Sequence, residues 1–549
     1  MTTIVAEKEQ SPLIDGKYPL SVINRICTAD IIRRSASRTP NKVAIIEGDR
    51  EITYREFDHL VSQFANYLLG KGLQKGDKVA TLCLNTADFV IVMFGVARAG
   101  LVWVPMNPLS SGEDLQYVIT HSEAKLLVAD DELLPRVRPE IEAIFSGDIL
   151  LINVKNVKIE GHNVKPFQDE IAGQSTVEPL VDICERDVAQ IMYTSGTTAK
   201  AKGVMQSHLS VYIATLGNII EQGLTKDDVS SCLMPLFHCA QHTLSAAFWH
   251  LGATAVIIRH FQAETLMDLV QKHHITWVFA LPMMYRALLE SDKRYDYNLA
   301  TLRYCLYAMA PMDQGTLERL IKEICPNFAL ISGQTEMYPG TVWFKPEEQL
   351  RRFGAYWGQP SLINDMAIMD DSGHLLPRGE VGELVQRGPN VMEGYFKNPE
   401  ATAEARQFGW HHTGDLAMFD EDGQLLFIDR KKDMIKTGGE NVPSVKVERV
   451  LLSHHAVANA TAVGLPHEHW IEAVTAFVIP KEGQEISQKD IVDLCAAHLG
   501  LHEIPKAVVF LDKFPMTTTG KIQKHVLRKE YTHYYESHRD LHAHAHVAS

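Results

Sequence analysis

From about residue 40, short β-rich apolar runs alternate with stretches whose apolar residues recur at helical spacing. KVATLCLN (78–85), AKLLVA (124–129), VAQIMYT (188–194), TAVII (254–258) and TWVFA (276–280) end in turns. Phe89–Arg98, Ser207–Gln222 and Ala263–His273 lie between such runs. This alternation predicts βαβ units and parallel sheet. Between about 365 and 430 the character changes. MAIMDDSGHLLP (366–377) and LAMFDEDGQLLFIDR (416–430) place apolar runs around Ser/Asp-Gly turns and predict antiparallel hairpins. Past 440 a smaller βα unit is expected. It has helices near Ser444–Leu452 and Ser487–Leu499, strands at Ala460–Gly464, Ala473–Ile479 and Ala507–Leu511, and a final helix. The polar, His-rich stretch Tyr531–Ser549 is expected to fray.

Composition narrows the class. The 549 residues carry 53 Lys+Arg against 68 Asp+Glu, a net charge of −15, with 46% hydrophobic and 22% charged residues. Disordered, collagen-like and disulfide-scaffold chains are excluded, and the balance gives no footprint for nucleic acid. Eight cysteines form no C-x-x-C pair and read as reduced thiols of a cytoplasmic protein. The first twenty residues lack the charged and apolar regions of a signal peptide. The longest apolar stretch, Phe89–Met106, is interrupted by Arg98 and reads as helix then strand, with no membrane span. Asp420-Glu421-Asp422-Gly423 resembles the start of a calcium loop, but Asp429 stands where the closing Glu belongs, so a hairpin turn is expected. His542, His544 and His546 read as a solvated tail.

Five segments carry candidate chemistry. Thr194-Ser195-Gly196-Thr197-Thr198, followed by Lys200 and Lys202, offers hydroxyls, backbone N–H groups and cations that suit a polyphosphate. It is not a Walker A loop, and alone it reads also as a Ser/Thr/Gly surface turn. Ser332-Gly333-Gln334-Thr335-Glu336 adds a hydroxyl, an amide and a carboxylate able to take Mg²⁺. His411-His412-Thr413-Gly414-Asp415 ends in an acceptor suited to ribose hydroxyls. Asp429-Arg430-Lys431-Lys432-Asp433 is a charge cluster, and Lys521 follows a Thr/Gly turn before a helix.

In this order, and with PLFHCAQ (235–241) and GYFKNPEAT (394–402), the segments resemble the acyl-adenylate-forming superfamily over about residues 25 to 530, most of all bacterial fatty-acyl-CoA synthetases. The resemblance implies an α/β fold: a large N-terminal body (1–430) of α/β subdomains with a β-barrel-like subdomain, and a small mobile α+β domain (431–549). It implies that a carboxylic acid, expected to be a fatty acid, reacts with ATP to give an acyl-adenylate and pyrophosphate, and that CoA then takes the acyl group. Thr194–Lys202 would hold the phosphates, with Thr198 and Glu336 on Mg²⁺. Ser332, Gly333, Gln334 and Thr335 would contact AMP, and Asp415 and Arg430 the ribose. Lys521 would bridge carboxylate and α-phosphate. His238 would line the carboxylate end of the acyl tunnel, and Lys432 would be the hinge. A homodimer is compatible with this reading.

The chain departs from the family pattern at Ala199, Ala201, Ser332 and Met309. Ser332 replaces an aromatic that stacks on adenine, and Ala199 and Ala201 replace a Gly and a Pro of the phosphate loop. Two other readings stay open: an adenylation enzyme loading a carrier protein, and a non-catalytic adenylate-binding protein. Phe237, Trp249, Met283, Met284, Met309 and Tyr338 are candidates for the tunnel wall.

Overall fold

A computed structural model describes residues 24–154, 164–194, 201–308, 312–352, 354–516 and 521–537. The predicted alternation is realised as two large sheets. In the first, parallel strands Val43–Glu47, Thr254–Ile257, Val229–Cys232, Trp277–Ala280, Tyr304–Tyr307 and Phe328–Ser332 lie side by side. From Phe328–Ser332 onward the pairing turns antiparallel, through Val342–Phe344 and Tyr356–Pro360 to the hairpin His411–Phe419/Leu425–Arg430. The antiparallel strands thus prolong the parallel sheet as one open sheet of 14 strands, and not as a closed barrel. The second sheet has 8 strands. Lys78–Leu82 is central, with Val102–Pro105 and Ala124–Asp130 parallel on either side.

The two sheets are fastened where their strands end. Asn85, just past Lys78–Leu82, lies buried with Nδ2 3.0–3.5 Å from the carbonyl oxygens of Cys232, Leu233, Met234 and Ile258. Its Oδ1 accepts from the Leu236 N–H at 2.9 Å. Arg259, leaving the first sheet, pairs with the buried Asp130 of the second at 2.8 Å and with Glu132 at 2.7 Å. Cys232 O also accepts from the Ile258 N–H at 3.0 Å, and the Asn85 amide adds a donor to it and to its neighbours from the other sheet.

The long apolar stretch is resolved as helix Ala87–Arg98 and strand Val102–Pro105. Every residue of that helix is buried, which is why it shows no polar face. Gly95 lets Phe64 approach, since a Cβ there would lie 2.6 Å from the Phe64 ring. Arg98 closes the helix with its side chain buried and donates to Asp58 Oδ1 (2.6 Å), Asp58 O (2.9 Å) and Ser62 Oγ (2.7 Å). Among the described residues no helix is long and apolar enough to cross a membrane.

Beyond residue 434 a five-stranded sheet pairs Val457–His467 with Ile471–Pro480, and Ala507–Phe510 joins in parallel. Helices Ser444–Leu452 and Gln488–His498 match their predicted positions. The expected fraying beyond Tyr531 is not what the described part shows. Tyr531 packs edge-on to Phe477, and Tyr535, 6% exposed, shares a 2.9 Å hydrogen bond with Thr475. Three tyrosines in five residues supply the burial that a polar count hides. The histidines past 537 lie outside the described residues.

Candidate active site

The antiparallel pair Val188–Thr194/Lys202–Ser207 brings Thr194 opposite Lys202, the Thr194 hydroxyl donating to Lys202 O at 3.5 Å. Ser195, Gly196, Thr197, Thr198, Ala199 and Lys200 lie outside the described residues. The Lys202 ammonium stands 4.8 Å from the Tyr395 ring centroid, and the Tyr395 hydroxyl donates to Glu336 Oε1 at 3.0 Å. Strand Gly394–Tyr395 makes this meeting possible by pairing with Val204 and Met205. Tyr395 therefore joins the two ends of the expected phosphate site. GYFKNPEAT was legible only as a family signature, because spacing along the chain does not say that its Tyr reaches Glu336.

Strand Phe328–Ser332 runs into a short turn, Thr335–Met337. Gly333 is required there, because a Cβ would lie 2.9 Å from Pro339 Cα. Gln206 Nε2 donates to Thr335 O at 2.6 Å, and Cys239 Sγ lies 3.5 Å from Thr335 Oγ1. His238 caps helix Cys239–Leu251, its Nδ1 accepting from the Ala240 N–H at 3.3 Å. Burial, then the charge of Lys521, pushes the His238 pKa down to about 4, so the ring is neutral near pH 7. Burial pushes the Cys239 thiol up to about 12, which fits a bystander and not a nucleophile.

Gln334 links this turn to the antiparallel half of the sheet, donating to Thr413 O at 2.7 Å and Asp415 Oδ2 at 2.9 Å. Asp415 and Arg430 are register partners, with Arg430 Nε 2.7 Å from Asp415 Oδ1. That N–H is not aimed along the contact, so Oδ1 is buried without a hydrogen-bond donor. Burial raises the Asp415 pKa, while Arg430, Gln334 and Lys521 oppose the rise. A buried carboxylate oxygen lacking a donor is what a ligand hydroxyl satisfies.

Lys521 belongs to the smaller unit, beside the antiparallel bridge Met516–Ile522. Although the residue as a whole is exposed, crowding around its amine and then the charge of Arg430 lower its pKa, and Asp415 opposes this. Its charge is felt at His238. Thr335, Glu336, Asp415, Arg430, His238 and Lys521 therefore converge although they span 284 residues of chain, from 238 to 521 counted inclusively. Lys432 is exposed, two residues past the strand that carries Arg430.

The tunnel candidates separate. Trp249 is fully buried in the core against Phe57 and Phe94, and Met283 is 68% exposed at the surface. Met309 lies outside the described residues. Tyr338, fully buried three residues past Thr335, hydrogen-bonds His242, one helical turn past His238.

Residues 32–396 match the AMP-binding enzyme family, and residues 446–521 match the AMP-binding enzyme C-terminal domain. The 4-hydroxybutyrate–CoA ligase 2 of Metallosphaera sedula is 32% identical over 515 residues, covering 91% of this chain and 93% of its own. A feruloyl-CoA synthase of an Amycolatopsis species is 30% identical over 501 residues, covering 91% and 98%. Among solved structures, ATP-bound MatB from Rhodopseudomonas palustris superposes with a TM-score of 0.82 at 28% identity, covering 92% of this chain and 99% of its own. With the family matched over more than half its length and its motif residues gathered at one site, the chain belongs to the AMP-binding enzymes.

Proposed function

We propose that the protein is an ATP-dependent acid–CoA ligase working through an acyl-adenylate, and that the acid is a fatty acid. The observation that carries this is the convergence of Lys521 with Thr335, His238 and the Asp415–Arg430 pair. A carboxylate is a poor acyl donor, and it must attack a phosphorus surrounded by negative oxygens. Lys521 holds both reactants and offsets their repulsion, and Lys202 does the same for the departing pyrophosphate. Asp415 takes the ribose hydroxyls, and Ser332, Gly333 and Gln334 border the nucleotide. Neutral His238 leaves the approach of a thiol unblocked by a second positive charge.

Glu336 is the carboxylate fit for Mg²⁺. Among the described residues no group of three or more His, Cys, Asp or Glu side chains gathers as a metal cage. Mg²⁺ keeps several waters and takes ligands from phosphate oxygens, so it asks for only one or two protein carboxylates. When bound, Mg²⁺ supplies charge neutralisation between the phosphates. The further assignments are a body over 1–430, a mobile domain over 431–549 turning at Lys432, and a cytoplasmic location.

One observation favours a second reading of the acid. The His242–Tyr338 pair stands directly behind His238 and Thr335, backed by Trp103, whose ring centre is 5.1 Å from that of His242. A polar, fully buried pair there favours a short or oxygen-bearing acid over a long alkyl chain. Pyrophosphate release, measured across acids from acetate to palmitate and benzoates with CoA as acceptor, tests both readings. Acid-dependent release without thioester on CoA supports carrier loading, and no release with any acid defeats the ligase reading.

A further inference from the structure

Three side chains connect the ends of the site: Asp429, inside the charge cluster, and Ser444 and Lys524, outside the segments that carry the resemblance. Asp429 is 1% exposed and precedes Arg430 on its strand. Its carboxylate accepts from the Arg430 N–H (2.7 Å), the Ser444 N–H and the Ser444 hydroxyl (2.7 Å). Ser444 is fully buried and opens helix Ser444–Leu452 of the smaller unit. With its O–H donating to Asp429, its oxygen accepts from Lys524 Nζ at 2.6 Å. Lys524 also pairs with Glu448 at 2.8 Å on that helix. Lys524 begins helix Lys524–Glu530, three residues after Lys521.

We propose that Asp429, Ser444 and Lys524 form a clasp across the pivot that positions Lys521 for adenylate formation and opens when the smaller domain turns to the thioester step. Its parts form a closed circuit. Asp415 meets Arg430 across the strands, and Asp429, the next residue, holds Ser444. Ser444 holds Lys524, and the segment from Lys524 returns to Lys521. The circuit crosses from the large sheet to the smaller unit on both sides of residues 431–433, so a rotation about Lys432 carries Ser444 away from Asp429. A hydroxyl that donates to one charge and accepts from the other is fully used. Breaking it therefore leaves a buried carboxylate short of a donor, which makes the closed position specific to one orientation. Asp429, Ser444 and Lys524 are positioning residues, because their contacts run to one another, to the Arg430 backbone and to Glu448.

The inference rests on the two-orientation ligase reading, so its test has two arms. Ser444→Ala removes the relay while keeping the backbone donor to Asp429, and Lys524→Gln cuts the other link. In the first arm, limited trypsin digestion of the full chain follows cleavage at Lys431 and Lys432. At least fivefold faster cutting in both variants, with unchanged far-UV circular dichroism, supports the clasp, and wild-type rates in both overturn it. In the second, acid-dependent ATP–pyrophosphate exchange is expected to fall at least tenfold, while thioester formation from supplied acyl-adenylate and CoA stays within twofold of wild type. An equal fall in both half-reactions means a structural role and overturns the proposal. If the wild type exchanges with no acid, the ligase reading falls, and the trypsin arm still decides the clasp.

Discussion

Asp415 and Arg430 face each other across neighbouring antiparallel strands, 2.7 Å apart, yet the arginine leaves one carboxylate oxygen without a donor. The ion pair fixes the carboxylate, and the open oxygen makes it an acceptor in waiting. Asp415→Asn keeps the shape and removes the charge. The KM for ATP is expected to rise tenfold to a hundredfold, the worth of about 1.5–3 kcal/mol for a charge-assisted hydrogen bond. Unchanged kinetics in this variant would place the ribose elsewhere.

Lys521→Ala is expected to lower adenylate formation by three or more orders of magnitude. Conversion of supplied acyl-adenylate and CoA to thioester is expected to persist, since the proposed two-orientation reading assigns that step to the other orientation. Rapid-quench measurement of each half-reaction separates the two. Equal losses would make Lys521 a structural residue.

Asn85→Leu tests the fastening between the sheets. The substitution keeps the volume but strips a donor from carbonyls of Cys232, Leu233, Met234 and Ile258 and an acceptor from the Leu236 N–H. A loss of about 3 kcal/mol is expected from leaving such buried groups unpaired. Urea unfolding reads it as a lower midpoint with an unchanged slope. A midpoint at the wild-type value refutes the fastening.

Acid sensitivity follows from buried histidines. Burial depresses His208, His238, His250 and His411 to about 4 and His242 to about 3, from an ordinary 6.5. The unfolded chain takes up these protons below 6.5 and the folded one does not. Their contribution is therefore complete above pH 6.5 and is lost as the pH falls toward 4, each histidine adding a slope of up to about 1.4 kcal/mol per pH unit. Asp415 and Asp429, raised by burial, act in the opposite sense. Urea midpoints at pH 7.5, 6.5, 5.5 and 4.5 should decline with a steepening slope below 6.5. A flat profile across that range contradicts the assigned burial.

Much of the site was legible because its residues are polar groups at turns between strongly patterned elements. Thr335, Glu336, Asp415, Arg430 and Lys521 stand out for that reason. Tyr395, Ser444 and Lys524 do not. Each is ordinary in its own segment, and its role comes from a strand pairing or helix start that brings distant segments together. The open sheet was equally hidden, since hairpin patterning looks the same whether the strands close on themselves or prolong a neighbour. Trp249 and Met283 show the limit for apolar residues: one fills the core and the other lies at the surface, with nothing local to tell them apart.

The bolts at Asn85 and Arg259–Asp130 have a mechanical consequence. They tie the two sheets together at their strand ends and resist their separation there. On the proposed two-orientation reading, traffic is governed from the side of the unit carrying Lys521. A single swinging cover would serve as both door and tool, and the order of the two chemical steps would follow from which way it hangs.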